Sequence, residues 1–230
     1  MNKTKREPCT RATKVWVAYL TALLLVADIE VLLAETAQRD PARKLLTQLS
    51  AEEQIELATG AAPAPIAQNA MIMVLTPTGY ITARSGTNGF TCLVERQFPE
   101  TLEPSCYDAE GTATTLKARL FREELRLAKV SEDEIERRLD EGYRTGKLLA
   151  PRKPGLVYML SRSNWVWNDR TQKIIHAPPH VMFYAPYATA KDVGGFLGPQ
   201  YPYVVLEGRP DAYVIMIPAG DTSTSHPHGK

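Results

Sequence analysis

Two histidines in the last third of the sequence could bind a metal ion, because His176 and His180 have the spacing His-x3-His. On a helix this spacing puts both imidazoles on one face, where they can share a metal ion. Two prolines between them exclude a helix here. The rings could then meet only on a loop, with Asp169 or Asp108 as a third ligand. A metal site is therefore the alternative, and we expect the two histidines on a polar loop or in partly buried positions.

Cys92 and Cys106 could form a reactive thiol, a metal site or a disulfide. Neither lies in a protease signature, no CxxC motif is present, and two cysteines alone cannot complete a zinc site. A disulfide would close a loop of about 15 residues and contribute about 3 kcal/mol. The segment between the cysteines contains two prolines and little periodicity, which indicates a loop. We predict the disulfide for a chain that is exported.

Two tryptophans are the residues most typical of a ligand-binding surface. Trp165 and Trp167 lie beside Asn164 in a long segment, 162–180, which we expect to be a loop, and Tyr184 follows soon after it. Aromatic rings beside amides can stack on a sugar or hold a peptide. The period of two puts both indoles on one face of a short strand. That arrangement also suits the alternative, in which the rings pack on the edge of a sheet.

Motifs for enzymatic chemistry are weak in this sequence. It contains no G-x-S-x-G elbow and no phosphate-binding loop, and we expect no cofactor. A hydrolase-like or metal-dependent enzyme would have to use Asp108, His176 or His180. Enzymatic activity stays open, and a non-enzymatic protein is favoured.

Helices are predicted at the start and in the centre of the chain. N-terminal helices are expected within residues 35–60, where Ser50 and Glu53 form a capping box. Residues 113–147 have a helical pattern with a break at Val130-Ser131, a second capping box at Ser131, and Gly146 at the end. We expect the many charges of this pair to form a solvated face rather than a docking surface.

Short apolar segments bounded by Pro, Gly and Asp predict strands in the rest of the chain. They are 71–76, 80–84, 90–94, 155–161, 181–185, 203–207 and 212–217, with a turn at Pro77–Gly79. The expected fold class is α+β: an antiparallel sheet of six or seven short strands with N-terminal helices and a central charged helical pair. Residues 61–220 would form a single domain, and 221–230 a flexible tail.

The N-terminus has the pattern of a signal peptide. A basic stretch, 1–14, precedes an apolar run from Val15 to Ala27. Residues 1–34 would then be a cleaved signal peptide, and the protein would be periplasmic or secreted. The alternatives are an uncleaved anchor to the inner membrane, formed by 15–34, and an amphipathic cytoplasmic helix.

The charge of the chain argues against nucleic acid as a partner. The sequence has 27 basic and 26 acidic residues, a net charge of +1. A near-neutral chain has no long-range field to attract phosphates. The partner we expect is a small molecule, a glycan or an envelope protein, with a membrane contacted only through an uncleaved N-terminal segment.

Several short segments resemble a group of exported bacterial proteins of unknown function. They are TNGFTC and PSCYD, which carry the two cysteines, together with PHVM at 179–182 and the closing hairpin. The resemblance spans residues 60–218 in islands. The resemblance implies export and a single domain, and no activity is attached to that group of proteins. The expected function is therefore a non-enzymatic binding or structural module of the cell envelope.

Overall fold

The computed structural model describes residues 44–218, and its main element is an eight-stranded sheet. The strands of the chain are β1 (Met71–Thr76), β2 (Gly79–Arg84), β3 (Thr91–Glu95), β4 (Glu103–Tyr107), β5 (Leu156–Met159), β6 (Asn164–Asn168), β7 (Lys173–Ala177), β8 (His180–Tyr184), β9 (Tyr203–Val205) and β10 (Tyr213–Met216). The sheet has the order β2-β1-β3-β4-β5-β8-β10-β9, and β6 and β7 form a separate hairpin. The predicted signal peptide or anchor and the predicted tail lie outside the described residues.

The α+β class is confirmed, and the sheet is slightly larger than predicted. It has eight strands plus a two-stranded hairpin, where we expected six or seven strands in all. Strands β1 and β3 are parallel, while the other neighbouring pairs of the sheet are antiparallel. Among the described residues no helix is both long enough and apolar enough to span a membrane.

The predicted β1–β2 hairpin is confirmed, and the chain then crosses to the other side of β1. Gly79 opens β2 with a φ of 123°. The connection to β3 passes the start of β1 at Gly86, where a Cβ atom would lie 2.1 Å from the backbone nitrogen of Met71. Only glycine fits such a close approach of two backbones. The SGTNG segment thus permits the parallel β1–β3 pair.

Strand β4 lies in the segment that we expected to be a loop. Pro104 obscured it, because proline cannot donate to a neighbouring strand. The Leu102 N–H donates to Trp165 O at 2.9 Å, on the β6 side of the strand. The backbone nitrogen of Pro104 points to the same side of the strand. On that side, the described pairing of β4 with β5 begins only at Cys106. The missing N–H therefore costs β4 no ladder hydrogen bond to β3.

The N-terminal helices cover one face of β1, β3 and β4. Helix α1 (Ala51–Thr59) begins at the predicted capping box, in which Ser50 and Glu53 exchange hydrogen bonds. The side chain of Gln54 pairs with both backbone groups of Leu75, at 2.7 and 3.1 Å. A 3-10 turn, Leu46–Gln48, precedes α1, and a short α2 (Ala64–Ala67) follows it. Their alanines and leucine pack on Cys92 and Cys106 to form the outer core.

The central helical pair covers the opposite face of the sheet. After a short α3 (Ala109–Ala113), it consists of α4 (Thr115–Leu127) and α5 (Glu132–Thr145). Gly146 ends α5 with a left-handed φ of 76°, as predicted, whereas Ser131 makes no side-chain capping bond. Leu93, Tyr107, Leu116, Val157 and Tyr213 belong to the buried layer on this face, the inner core.

The C-terminal half also departs from the expected loops. The segment 162–180 contains the β6–β7 hairpin instead of a long loop. Its turn has no glycine, and the side chain of Asn168 accepts from the backbone N–H groups of Arg170 and Thr171 instead. Strand β10 lies between β8 and β9, so the last strand within residues 44–218 is not at the edge of the sheet.

Candidate functional site

Cys92 and Cys106 form a disulfide, which confirms the predicted pairing. They are direct partners in the antiparallel β3–β4 register, and both are fully buried in the outer core. A sulfur held in a disulfide is neither a nucleophile nor a thiolate ligand. These two cysteines therefore have a structural role, and a catalytic or ligand-binding role would fall to other residues.

The histidines, which we expected on a polar loop or in partly buried positions, lie on strands. His176 is exposed on β7, where its Nε2 lies 2.5 Å from Arg162 O and its ring is 5.1 Å from Trp165. His180 begins β8 and is buried, with Nδ1 2.8 Å from Pro178 O. Burial lowers the pKa of His180, and the backbone contact partly opposes this shift. Within residues 44–218 no three His, Cys, Asp or Glu side chains are placed to hold a metal.

The carboxylate of Asp108 accepts hydrogen bonds from three neighbouring groups. Its Oδ1 caps α3 by accepting from Gly111 N at 2.8 Å and lies 2.9 Å from the hydroxyl of Tyr184. Its Oδ2 accepts from Leu156 N at 2.9 Å. Asp108 lies at the Leu156 end of β5, while His180 pairs with Met159 at the other end. The structure therefore does not bring Asp108 and His180 together.

Two of the four predicted ligand-binding residues are turned inward. Asn164 is fully buried and donates from Nδ2 to Met159 O and Ser161 O, at 2.8 and 2.7 Å. Tyr184 is half-buried against Asp108. Its burial, and to a smaller extent the charge of Asp108, raise the pKa of its hydroxyl.

Asp169, which was considered as a third metal ligand, lies in the β6–β7 turn, where its backbone oxygen accepts a hydrogen bond from the side chain of Gln172.

The two tryptophans are half-buried on β6 and have different neighbours. Trp165 exchanges backbone hydrogen bonds with Leu102 at 2.8 and 2.9 Å and packs on the outer core. Trp167 contacts Phe98, with ring centroids 5.2 Å apart and a tilt of 58°. Phe98 in turn lines a cavity, so one of the predicted aromatics backs a cavity wall rather than forming an open platform.

This cavity has a volume of about 330 Å³ and lies among α4, α5, the β3–β4 connection and the β9–β10 turn. Its charged lining consists of three arginines (Arg119, Arg122, Arg209) and four carboxylates (Glu132, Asp133, Glu136, Asp211). Gln97, Phe98 and Leu206 complete the wall. We call this space the arginine cavity.

Arg122 is the most deeply buried arginine of the cavity lining, with 5% of its side chain exposed. Its Nη1 lies 2.6 Å from Glu136 Oε1 and 3.8 Å from Glu132 Oε2, which are ion pairs. Neither Nη1 nor Nε has a hydrogen-bond acceptor at suitable geometry among the described residues. Both nitrogen atoms are buried within the wall, so a molecule in the cavity does not reach them, and the ion pair with Glu136 holds this side chain in place.

A second polar layer lies beneath the cavity, in the inner core. Arg119 lines the cavity and its Nε lies 3.6 Å from Glu95 Oε2. Tyr107 donates to Glu95 Oε1 at 2.5 Å. Burial raises the pKa of Glu95, and the charge of Arg119 partly opposes this shift. Burial also raises the pKa of Tyr213 to about 12. The hydrogen bond from Tyr107 holds the carboxylate of Glu95, which in turn pairs with Arg119.

One wall of the cavity carries backbone strain. Leu206 has a φ of 55°, in the left-handed region that costs a non-glycine residue about 1–2 kcal/mol. The strain is held by a tight turn, because Arg209 N donates to Leu206 O and Gly208 N donates to Ala188 O. Strain of this kind persists where the surrounding structure imposes it, often at functional sites. Here it puts Leu206 on the cavity wall.

The arginine cavity was not predicted from the sequence, because we expected the charges of 113–147 to form a solvated face. That expectation is wrong for Arg122 and Glu123, which are buried. A signal was present: Arg119, Arg122 and Arg126 recur every three or four residues, which puts them on one face of a helix. Their partners come from segments far away along the chain, so the pattern alone does not identify a cavity.

Comparisons of the chain with protein-family models, with characterised proteins and with solved structures found no match.

Proposed function

We propose that this protein is a non-enzymatic binding module of the bacterial cell envelope that holds a small molecule in the arginine cavity. The observation that carries the proposal is the cavity of about 330 Å³ itself, in which Arg119, Arg122 and Arg209 lie beside apolar side chains. A ligand with oxygen atoms would accept hydrogen bonds from the guanidinium groups that line this space.

The dimensions and walls of the cavity support a small ligand. Its volume is near the lower end of the range of about 300–1,000 Å³ for ligand sites. Phe98 and Leu206 supply apolar surface beside the charged groups, and a few polar groups in an apolar wall give orientation and specificity. The strained turn at Leu206 is consistent with a wall built for binding.

A binding role fits these residues better than hydrolysis does. Three residues were considered for an enzyme. Both carboxylate oxygens of Asp108 accept hydrogen bonds, His180 is buried at the far end of β5, and Nε2 of His176 lies 2.5 Å from Arg162 O. In the cavity, the carboxylates of Glu136 and Asp211 are held in ion pairs with arginines. Ion-paired carboxylates of this kind can orient a bound ligand, and a binding role requires no proton transfer from them.

The location in the envelope is proposed on two features of the chain. One is the basic stretch 1–14 before the apolar run Val15–Ala27, a pattern typical of export. The other is the buried disulfide, because such bonds persist in oxidising compartments and are rare in the cytosol.

The test is to incubate the purified protein with a mixture of small metabolites and identify by mass spectrometry those that equilibrium dialysis retains. Arg122→Lys keeps a positive charge beside Glu136 but removes the planar guanidinium group from the cavity lining, and we expect about tenfold weaker retention. Arg144→Lys, in an exposed pair with Glu141, is the matched control and should bind like the wild type. Retention of nothing by the wild type, or equal retention by Arg122→Lys, would overturn the proposal.

A further inference from the structure

Large apolar side chains on the surface are concentrated on the connection between β8 and β9. Eight such side chains are exposed among residues 44–218, and four of them belong to residues 185–202 of this connection: Tyr187, Phe196, Leu197 and Tyr201. Single exposed apolar residues are normal on a protein surface, whereas a group of them marks an interaction site. None of the four lines the arginine cavity, so this surface needs an explanation of its own.

Three of the four side chains lie within six residues of one another, and we call Phe196, Leu197 and Tyr201 the aromatic tip. A 3-10 turn, Ala190–Val193, precedes the aromatic tip. Tyr201 N donates to Gly198 O at 3.1 Å, so the backbone turns tightly between Leu197 and Tyr201. The exposed fractions are 41% for Phe196, 62% for Leu197 and 50% for Tyr201. The aromatic tip thus presents apolar surface to solvent in one short stretch of chain.

Phe196 attaches the aromatic tip to the rest of the protein. Its ring is edge-on to that of Tyr203 at the start of β9, with ring centroids 5.6 Å apart. On the β6–β7 hairpin, the guanidinium carbon of Arg170 lies 3.5 Å from the centroid of the same ring. The next residue, Leu197, is the most exposed of the three. The contacts of Phe196 therefore hold a position from which Leu197 extends into solvent.

The charges around the aromatic tip balance in number. The two segments that meet there, 169–173 and 189–207, contain three basic and three acidic residues: Arg170, Lys173, Lys191, Asp169, Asp192 and Glu207. Asp192 and Glu207 accept hydrogen bonds from backbone N–H groups of the connection itself. A surface without net charge does not attract a charged partner from a distance. Binding at the aromatic tip must therefore come from its apolar side chains.

The size and composition of the aromatic tip fit a lipid surface better than a protein partner. A stable protein interface covers about 800 Å² on each partner, and three partly exposed side chains provide far less. Tyrosine is enriched where a membrane meets water, because its ring is apolar and its hydroxyl is polar. Phenylalanine and leucine favour the hydrocarbon beneath. An arginine such as Arg170 can contact lipid headgroups while its stem stays on apolar surface.

We infer that the aromatic tip is a membrane-contact site, in which Phe196 and Leu197 enter the surface layer of a lipid bilayer and Tyr201 lies at its boundary with water. Arg170 stays at the level of the headgroups. This contact is separate from the N-terminal segment, through which alone the sequence led us to expect a membrane contact. Because few apolar groups are buried in it, the contact is weak and reversible.

The test places a fluorescent reporter in the aromatic tip. Leu197→Trp in the full-length chain is mixed with phosphatidylethanolamine–phosphatidylglycerol vesicles whose acyl chains are brominated, because bromine quenches a tryptophan that enters the hydrocarbon. Ile81→Trp is the control, since Ile81 is 51% exposed on β2, at the sheet edge opposite β9. The wild type supplies the signal of the three native tryptophans, which is subtracted. We expect at least about twofold quenching of the added emission of Leu197→Trp and none for Ile81→Trp.

A second pair of variants tests whether the neighbouring ring takes part. Phe196→Ser, introduced together with Leu197→Trp, removes an apolar group from the aromatic tip and should reduce the quenching at every lipid concentration. Phe183→Ser in the same background is the matched control. Phe183 has a similar exposed fraction, 39%, but lies in β8, so its replacement should leave the quenching unchanged.

Each outcome decides for or against the membrane contact. Quenching of Leu197→Trp that Phe196→Ser reduces and Phe183→Ser does not is the expected result. Vesicle binding without quenching of Leu197→Trp, or equal quenching of Leu197→Trp and Ile81→Trp, overturns the inference and leaves the aromatic tip to a protein partner. Absence of any vesicle binding overturns it as well. The arginine cavity is unaffected by these results, because the dialysis experiment tests it separately.

Discussion

The carboxylate of Asp108 contacts three elements of the fold at once. It caps α3, accepts from the start of β5, and lies within hydrogen-bond distance of Tyr184 on β8. The packing around it is tight, since a Cβ atom on Gly155 would lie 2.2 Å from Asp108 Oδ2, and one on Gly111 would lie 1.9 Å from the Tyr184 hydroxyl. The aspartate of the PSCYD segment thus acts as a structural junction in this molecule.

His180 gives the molecule a predictable response to acid. Burial lowers the pKa of this histidine below its ordinary value of 6.5. As the pH falls below 6.5, the unfolded chain gains a proton that the folded chain does not, so stability decreases until the folded pKa is passed. We expect His180→Asn, whose amide can donate to Pro178 O, to remove this slope of up to about 1.4 kcal/mol per pH unit.

Urea denaturation of the wild type and His180→Asn between pH 7 and pH 5 measures this difference. The wild type should lose free energy of unfolding faster than the variant as the pH is lowered. Parallel curves for the two proteins would show that His180 does not titrate differently in the folded and unfolded states.

At the scale of elements, helices α4 and α5 are held to the β3–β4 connection by buried charge. Glu123 on α4 accepts two hydrogen bonds from Arg96, at 2.6 and 3.1 Å, and a third from Arg126 at 2.9 Å. Arg126 also donates to Glu132, at the start of α5. One carboxylate therefore fixes both a helix and the connection that carries Phe98.

Glu123→Gln should destabilise the protein by about 3–5 kcal/mol, because Arg96 would keep a buried charge without its counter-charge. The matched control is Glu141→Gln, which breaks an exposed pair with Arg144 on the surface of α5. Exposed pairs contribute little, so the control should unfold near the wild-type urea midpoint. Equal midpoints for the two variants would contradict the structural role of Glu123.

Local signals in the sequence identified several elements correctly. The capping box at Ser50, the helix end at Gly146 and the Pro77–Gly79 turn depend on neighbouring residues, so a short stretch of sequence reveals them. Pro104 hid β4, because the rule against proline in strands does not consider which side of the strand is paired. Local patterns therefore gave the class and most elements, but not the complete sheet.

The candidate site was harder to predict because its parts meet only in three dimensions. Arg122 lies near the middle of residues 44–218 and Leu206 near their end, and nothing near either residue in the sequence indicates the other. Asn164 looked like a ligand-binding amide, yet its side chain donates to the backbone of Met159 at the end of β5 and of Ser161 in the β5–β6 connection. Sequence spacing shows which residues share a face of one element, and tertiary packing decides what that face contacts.

At the scale of the whole molecule, the N-terminal pattern and the disulfide make one joint prediction. We expect the protein recovered from the envelope of its host to have the intact mass of a chain without its N-terminal segment. Cys92 and Cys106 should react with an alkylating agent only after reduction, since both are buried in a disulfide. Mass spectrometry of cell fractions, with and without reduction before alkylation, measures both properties.

A full-length mass in the cytosolic fraction, with both thiols alkylated without reduction, would contradict export and the oxidised state together. A full-length mass in the membrane fraction with protected cysteines would support the uncleaved anchor instead. The reduced and alkylated sample is the internal control, because it shows that the reagent reaches both sulfurs once the disulfide is open.

The position of β10 between β8 and β9 has a consequence for the order in which the chain matures. The ribosome releases β3 and the helical pair long before β9 and β10, whose connecting turn supplies Leu206, Arg209 and Asp211 to the cavity. Every earlier intermediate lacks that wall and has no complete site. A ligand that requires the wall would bind only finished molecules and would stabilise those alone. The fraction of ligand-bound protein would thus report the fraction of molecules that have completed folding.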